Sequence, residues 1–204
     1  TNFEIMHKLG FDFDNTLIIN DSLFKKAAVE KKLIPKDFPE SKKLIRNFLR
    51  EKYQENCFTI LQGEVYGKRI FEAKQAYRMS DALKNIQKRG FEIFIVSHKT
   101  KNPYKGPKYD LHKAAMSWLE ANHFFEVSGI NISRENVYFE VSKEKKIKRI
   151  ETLGCNYFID DLPEILDLIN SDINKILYDP ELNNLRKNDY INMKDWSDLI
   201  NLID

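Results

Sequence analysis

Only two cysteines occur in the chain, Cys57 and Cys155, and no metal-ligand spacing relates them. That excludes a disulfide framework and a thiolate metal site; both read as packed free thiols of a reducing cytoplasm. Seven glycines and six prolines in 204 residues exclude collagen-like and low-complexity structure. No apolar run approaches the roughly 20 residues that span a bilayer. No charged-then-apolar leader shows at the amino end. The formal net charge of +2 gives no electrostatic case for nucleic acid. The expectation is therefore a cytoplasmic protein with neither a membrane nor a nucleic-acid partner. What is present is ordinary for a globular domain: 42% hydrophobic and 31% charged residues, enough for one core with a modest insertion.

Periodicity predicts a first strand over residues 7–13 and then a mainly helical stretch from 21 to about 77. Asp21 or Ser22 can cap a helix carrying Leu23, Phe24, Ala27 and Ala28. Pro35 and Pro39 interrupt it, and Ser41 can cap a second helix. Residues 57–67 read either as helix or, through their two glycines, as a turn. Helix 79–89 stops at Gly90. Strands at 92–96, 136–139, 157–159 and 173–178 then alternate with helices at 109–121, 142–153 and 162–168, with a last helix at 194–202. Such alternation predicts an α/β fold with a parallel sheet covered on both faces. The segment 19–77 is too long for a simple strand-to-helix connection. It reads as an inserted helical domain, with 1–18 and 78–204 forming the core domain.

Three of these strands end in polar groups. The first ends in Phe11-Asp12-Phe13-Asp14-Asn15-Thr16-Leu17. Carboxylates at i and i+2 of a strand share a side, and neither is buried cheaply without a partner. A divalent cation is the usual one, and oxygen ligands suit Mg²⁺. The second, Phe91–Val96, ends at Ser97-His98-Lys99, and the last, Tyr157–Ile159, at Asp160-Asp161. Between them a helix opens on Ser142-Lys143-Glu144-Lys145-Lys146. In parallel α/β sheets, ligands bind at the carboxyl ends of the strands, where these residues fall.

In order and content these residues resemble the four motifs of the haloacid dehalogenase (HAD) superfamily of phosphohydrolases, from about Leu9 to about Asp179. The resemblance implies a HAD-like Rossmannoid three-layer fold, with 19–77 as a small α-helical cap of the C1 type. It further implies a Mg²⁺-dependent phosphatase acting on a small-molecule phosphate monoester through an aspartyl-phosphate. Asp12 would be the nucleophile and a metal ligand. Asp14 would be the general acid–base, with its backbone carbonyl on the metal. Asp161 is the favoured second carboxylate ligand, with Asp160 beside it or bound through water. Ser97 would donate to the phosphate, helped by the backbone N–H groups of His98 and Lys99. Asn15 and Thr16 suit the turn and an incoming anion.

For the motif lysine, Lys146 is preferred because its helix face also carries Ile150 and Leu153; Lys143 is the alternative, and Lys145 shares the same turn. The basic, aromatic loop 98–108 reads either as a grip on the leaving group or as a solvated surface. Two other functions use the same residues: a phosphotransferase or phosphomutase with the same intermediate, and a non-catalytic module binding a phospho-ligand or partner.

Overall fold

The two-residue alternation of β-strands decides which side chains of this sheet meet which helices. The computed structural model describes residues 6–53, 55–184 and 190–203. Its strands are β1 (Lys8–Phe11), β2 (Ile18–Ile19), β3 (Lys74–Gln75), β4 (Glu92–His98), β5 (Val137–Glu140), β6 (Tyr157–Asp160), β7 (Asn174–Tyr178) and β8 (Ile191–Met193). Six form one sheet in the order β5-β4-β1-β6-β7-β8, every neighbouring pair parallel. The remaining pair, β2 and β3, makes a two-stranded sheet.

The helices are α1 (Asp21–Glu30), α2 (Lys42–Tyr53), α3 (Glu55–Gly63), α4 (Met79–Lys88), α5 (Leu111–Ala121), α6 (Lys143–Leu153), α7 (Pro163–Leu166) and α8 (Leu199–Leu202). No helix among the described residues is long and apolar enough to cross a membrane.

Contacts divide the chain into two compact units. The first comprises Thr1–Leu17, Gln75–His98 and His123–Asp204, and contains the parallel sheet. Register places Gly10 of β1 beside Phe94 of β4 and Phe158 of β6. On that face Phe94, Val96, Phe158 and Leu177 pack with Ile150 of α6 and with Ile165 and Leu166 of α7. Phe11, one residue on, points the other way, against Trp196 with ring centroids 5.5 Å apart. Trp196 also meets Tyr178, and α8 packs on α4 behind it. Continuous apolar runs follow from this double coverage: Ile95, Val96, Phe158 and Ile159 are all buried.

The second unit, Ile18–Lys74 and Lys99–Asn122, is helical. Residues 57–67, open between helix and turn in the sequence, finish α3 and run on into a π-helix at Glu64–Lys68. The glycines there are contact points rather than turn residues. A Cβ on Gly67 would lie 2.6 Å from Tyr109 Cβ, and one on Gly63 would lie 2.8 Å from Pro103. The Trp118 indole N–H donates to the Ala73 carbonyl, tying α5 to the end of the insertion.

Four local expectations change. Asn20, not Asp21 or Ser22, holds the cap position of α1, and its side chain makes no capping bond. Asp21 Oδ1 instead accepts the Lys42 backbone N–H at 2.6 Å. The first strand stops at Phe11 because the chain turns at Phe13, whose carbonyl accepts the Thr16 and Leu17 N–H groups. The helix expected over 162–168 has its helical residues only at Pro163–Leu166. The one expected over 194–202 is a 3₁₀ turn, Trp196–Asp198, followed by the short α8, because Asp195 and Asp198 close a capping box there. Ser41 does cap α2, accepting the Leu44 N–H.

Gly10 has a specific reason to lack a side chain. A Cβ there would lie 2.6 Å from Phe158 Cδ2 and 3.0 Å from Cys155 Sγ. Gly10→Ala is therefore expected to cost about 1–3 kcal/mol by overpacking. Urea denaturation checks this; an unchanged midpoint would contradict the packing described.

Candidate active site

Alternation carries straight into the site. Asp12 follows Gly10 by two residues and Asp160 follows Phe158 by two, so both carboxylates project toward the α6 face. The Asp12 N–H donates to Ile159 O at 2.9 Å, extending the ladder past β1 and locking the two strand ends together. On α6, Lys146 lies one turn before the buried Ile150 and is itself only 2% exposed. Its ammonium donates to Asp12 Oδ1 at 2.9 Å and to Asp160 Oδ2 at 2.6 Å. Lys143 and Lys145 of the same helical turn are exposed. Ser142 caps the helix by accepting the Lys145 N–H, which fixes the register that turns Lys146 inward.

Asp160 is fully committed. Its second oxygen accepts the Leu162 N–H at 2.9 Å, at the start of α7. Asp161, its neighbour, points elsewhere and accepts a hydrogen bond from the Thr16 hydroxyl at 3.3 Å. Oxygens of Asp12, Asp160 and Asp161 nevertheless converge, one from each carboxylate, all within 4.8 Å of one another. Lys146 thus bonds two of the three converging carboxylates. Oxygen-only donors at this spacing suit a hard divalent cation such as Mg²⁺.

The titration directions follow from burial and from the charges of these neighbours. Burial alone would lower the Lys146 ammonium, but Asp12 and Asp160 outweigh it and raise its pKa. Burial, reinforced by the Asp12 charge, pushes Asp160 up to about 6 despite the opposing pull of Lys146 and the Leu162 N–H.

The turn after β1 places the remaining sequence-predicted residues. Asp14 is half-buried, and its carboxylate is not among the three that converge. Asn15 takes a left-handed φ of 58°, a conformation asparagine tolerates, and its buried side-chain oxygen has no hydrogen-bond partner. Thr16 is buried. Ser97 lies buried at the carboxyl end of β4, beside Phe139 of β5. His98 reaches solvent at the strand tip; partial burial and then the Lys146 and Lys143 charges hold its imidazole below the ordinary value. Lys99, next along, belongs to the helical unit, buried with its ammonium 4.6 Å from the centre of the Tyr66 ring.

One supporting residue has no motif to announce it. The buried Trp196 donates its indole N–H to Thr16 O at 3.3 Å, and so props the turn that carries Asp14 and Thr16. The only hint in the sequence is a tryptophan in an otherwise polar stretch near the carboxyl end. The two cysteines are free, with Cys155 buried and its thiol pushed up to about 11 by that burial.

The Asp160 shift has a testable sign. Its folded pKa lies above the ordinary value of 3.8, so the folded state retains a proton that the unfolded state releases. Stability from this group is complete below 3.8 and declines as pH rises toward about 6. In metal-free buffer, the stability difference between the native protein and Asp160→Asn should move in the variant's favour across that interval. Denaturation at several pH values measures it, and a difference flat in pH would contradict the assignment.

No protein-family model matches the chain. A curated protein of Oceanobacillus iheyensis, provisionally named nucleotidase OB0422, is 23% identical over 215 residues, covering 96% of this chain and 98% of that protein. Among solved structures, the haloacid dehalogenase-like family hydrolase SP0104 of Streptococcus pneumoniae matches with a TM-score of 0.62 at 16% identity, over 97% of this chain and 99% of that one. The provisionally assigned HAD-hydrolase YfnB of Bacillus subtilis, solved bound to magnesium, matches with a TM-score of 0.60 at 13% identity, over 97% and 98%. The chain has the fold of the haloacid dehalogenase superfamily of hydrolases, and the residues gathered at its strand ends are those that carry its sequence resemblance to that superfamily.

Proposed function

We propose that the protein is a Mg²⁺-dependent phosphatase that hydrolyses a small-molecule phosphate monoester through an aspartyl-phosphate on Asp12. The observation that carries this reading is the Lys146–Asp12–Asp160 contact beside Asp161. A carboxylate held by a fixed ammonium, beside two further carboxylates that could hold a cation with it, is a nucleophile fixed in place and aimed. Bound Mg²⁺ would supply positive charge to the oxygens of the transferring phosphoryl group and to the attacking carboxylate. Asp12 and Asp161 are the ligands proposed to hold it directly. Asp160, with both oxygens already hydrogen-bonded, lies beside them.

In the first half-reaction an Asp12 oxygen attacks phosphorus, the P–O bond to the leaving group breaks, and Asp14 passes its proton to the departing alkoxide. In the second, Asp14 takes a proton from water as the water attacks the phosphoryl group; the bond to Asp12 breaks and inorganic phosphate leaves. Asp14 is the candidate for both proton transfers because it follows Asp12 by two residues in the turn at the end of β1. Lys146 holds Asp12 and offsets the charge that gathers on the phosphoryl oxygens. The Ser97 hydroxyl, with the backbone N–H groups of His98 and Lys99, binds those oxygens, and Asn15 and Thr16 complete the turn around them. The helical insertion would serve as the cap. Nucleoside monophosphates belong among the first esters to try, because the Oceanobacillus relative carries a nucleotidase name.

The test is phosphate release from a panel of monoesters with Mg²⁺, with Asp12→Asn as the blank. Release should fall at least about a thousandfold in Asp12→Asn and vanish with chelator. Asp14→Asn should slow turnover by about a hundredfold or more while sparing metal binding. An Asp12→Asn variant retaining a tenth of the activity would rule out the nucleophile. A protein that transfers the label to an added alcohol or sugar phosphate, and not to water, would be a phosphotransferase.

A further inference from the structure

A titratable side chain at the same sheet edge has no part in the proposed chemistry: the imidazole of His98. Phe94 and Val96 of β4 pack with Ile150 on the α6 side of the sheet. His98 continues their alternation, so it projects toward α6, on the face that also takes Asp12 and Asp160. β4 is the neighbour of β1, and Phe11 stands level with Ile95. Carried on by one residue, that register sets Asp12 level with Val96. His98 therefore stands one strand across from Asp12 and two residues, roughly 7 Å, farther out along the sheet. A phosphoryl group on Asp12 takes up the first part of that distance. The ester oxygen and the first carbons of the leaving group come next, level with the imidazole. His98, Val141, Lys143 and Lys146 all belong to the unit that holds the parallel sheet.

The surroundings of the ring define what it can bond. The backbone carbonyl of Val141, just past β5, accepts one ring N–H. Partial burial, then the Lys146 and Lys143 charges, holds the imidazole below its ordinary value, in its neutral form. A neutral imidazole has one N–H and one acceptor nitrogen. With the N–H given to Val141, the acceptor nitrogen is the one left to a ligand. The residue is exposed at the strand tip, so a ligand can reach it. An acceptor nitrogen takes a hydrogen bond from a hydroxyl and offers nothing to a carboxylate or a second phosphate.

We propose that the imidazole of His98 is a specificity-determining group: it accepts a hydrogen bond from a hydroxyl one or two carbons from the ester oxygen, which selects phosphorylated polyols and sugars over phosphate esters of plain alcohols. This rests on the phosphatase reading and narrows it to a substrate class. In that reading the backbone N–H of the same residue binds a phosphate oxygen, so His98 meets both halves of the ester. A partner lost from a built hydrogen bond costs more than a lost apolar contact, which makes a single imidazole an effective discriminator.

The experiment compares glycerol 3-phosphate with propyl phosphate, the same three-carbon chain without its hydroxyls. The wild-type protein should favour glycerol 3-phosphate in kcat/KM by about tenfold or more. His98→Phe, which keeps a planar ring and removes both nitrogens, should bring the ratio close to one. His98→Gln should retain more of the preference than His98→Phe, because its amide can donate to the Val141 carbonyl and accept from the hydroxyl. A wild-type protein without the preference, or a ratio that His98→Phe leaves unchanged, would overturn the proposal. Calorimetric titration separates it from the phosphatase reading. Asp12→Asn with Mg²⁺ should bind glycerol 3-phosphate more tightly than propyl phosphate, and adding His98→Phe should remove the difference. If no ester releases phosphate but that difference is present, the catalytic reading fails and the role of His98 stands. If release occurs and the two esters are bound and hydrolysed alike, the role of His98 fails alone.

Discussion

One buried ammonium, that of Lys146, organises the carboxyl edge of this sheet. It bonds carboxylates from two different strand ends, Asp12 after β1 and Asp160 at the end of β6, and both bonds are out of water. Burying two carboxylates side by side without it would be prohibitive. With it the pair is tolerated, and Asp161 brings a third carboxylate to the same cluster. These three carboxylates could hold a metal ion. Burial, with the Asp12 charge beside it, displaces the Asp160 pKa upward.

Most of the surrounding structure can be read as service to that contact. Gly10 makes room for Phe158, which lets β1 and β6 run close. The Asp12 N–H to Ile159 O bond continues their ladder to the residue that matters. Ser142 sets the phase of α6, and Ile150 and the aromatic core beneath it press the helix onto the sheet. On the opposite face Trp196 stacks near Phe11 and holds the carbonyl of Thr16, whose hydroxyl reaches Asp161. The carboxyl-terminal segment thereby supports the turn that follows the first strand.

Much of this was legible in the sequence, because strand-end chemistry is local. Asp12, Asp14, Ser97 and Asp160-Asp161 each end an apolar run, and alternating strands and helices imply the parallel order that brings such ends together. Helical phase favoured Lys146, through Ile150 and Leu153, but left Lys143 open because it shares that face at i, i+3. What escaped depends on distant partners. β8 is a three-residue strand, Ile191–Met193, specified by pairing with β7 rather than by its own pattern. Asn20 displaced Asp21 as the cap position because the Asp21 carboxylate is taken by the Lys42 N–H, twenty-one residues away. Gly67 of the π-helix seats against Tyr109, and Trp118 bonds Ala73 at the end of the insertion. No window of neighbouring residues contains those contacts.

The central claim is that the carboxylates gathered beside Lys146 hold a divalent cation. Calorimetric titration of Mg²⁺ into metal-free protein tests it most directly, beside the same titration into Asp161→Asn. The account predicts one saturable site in the native protein, lost or weakened at least tenfold in the variant. Native protein that takes up no Mg²⁺, or a variant that binds it equally well, would contradict the account.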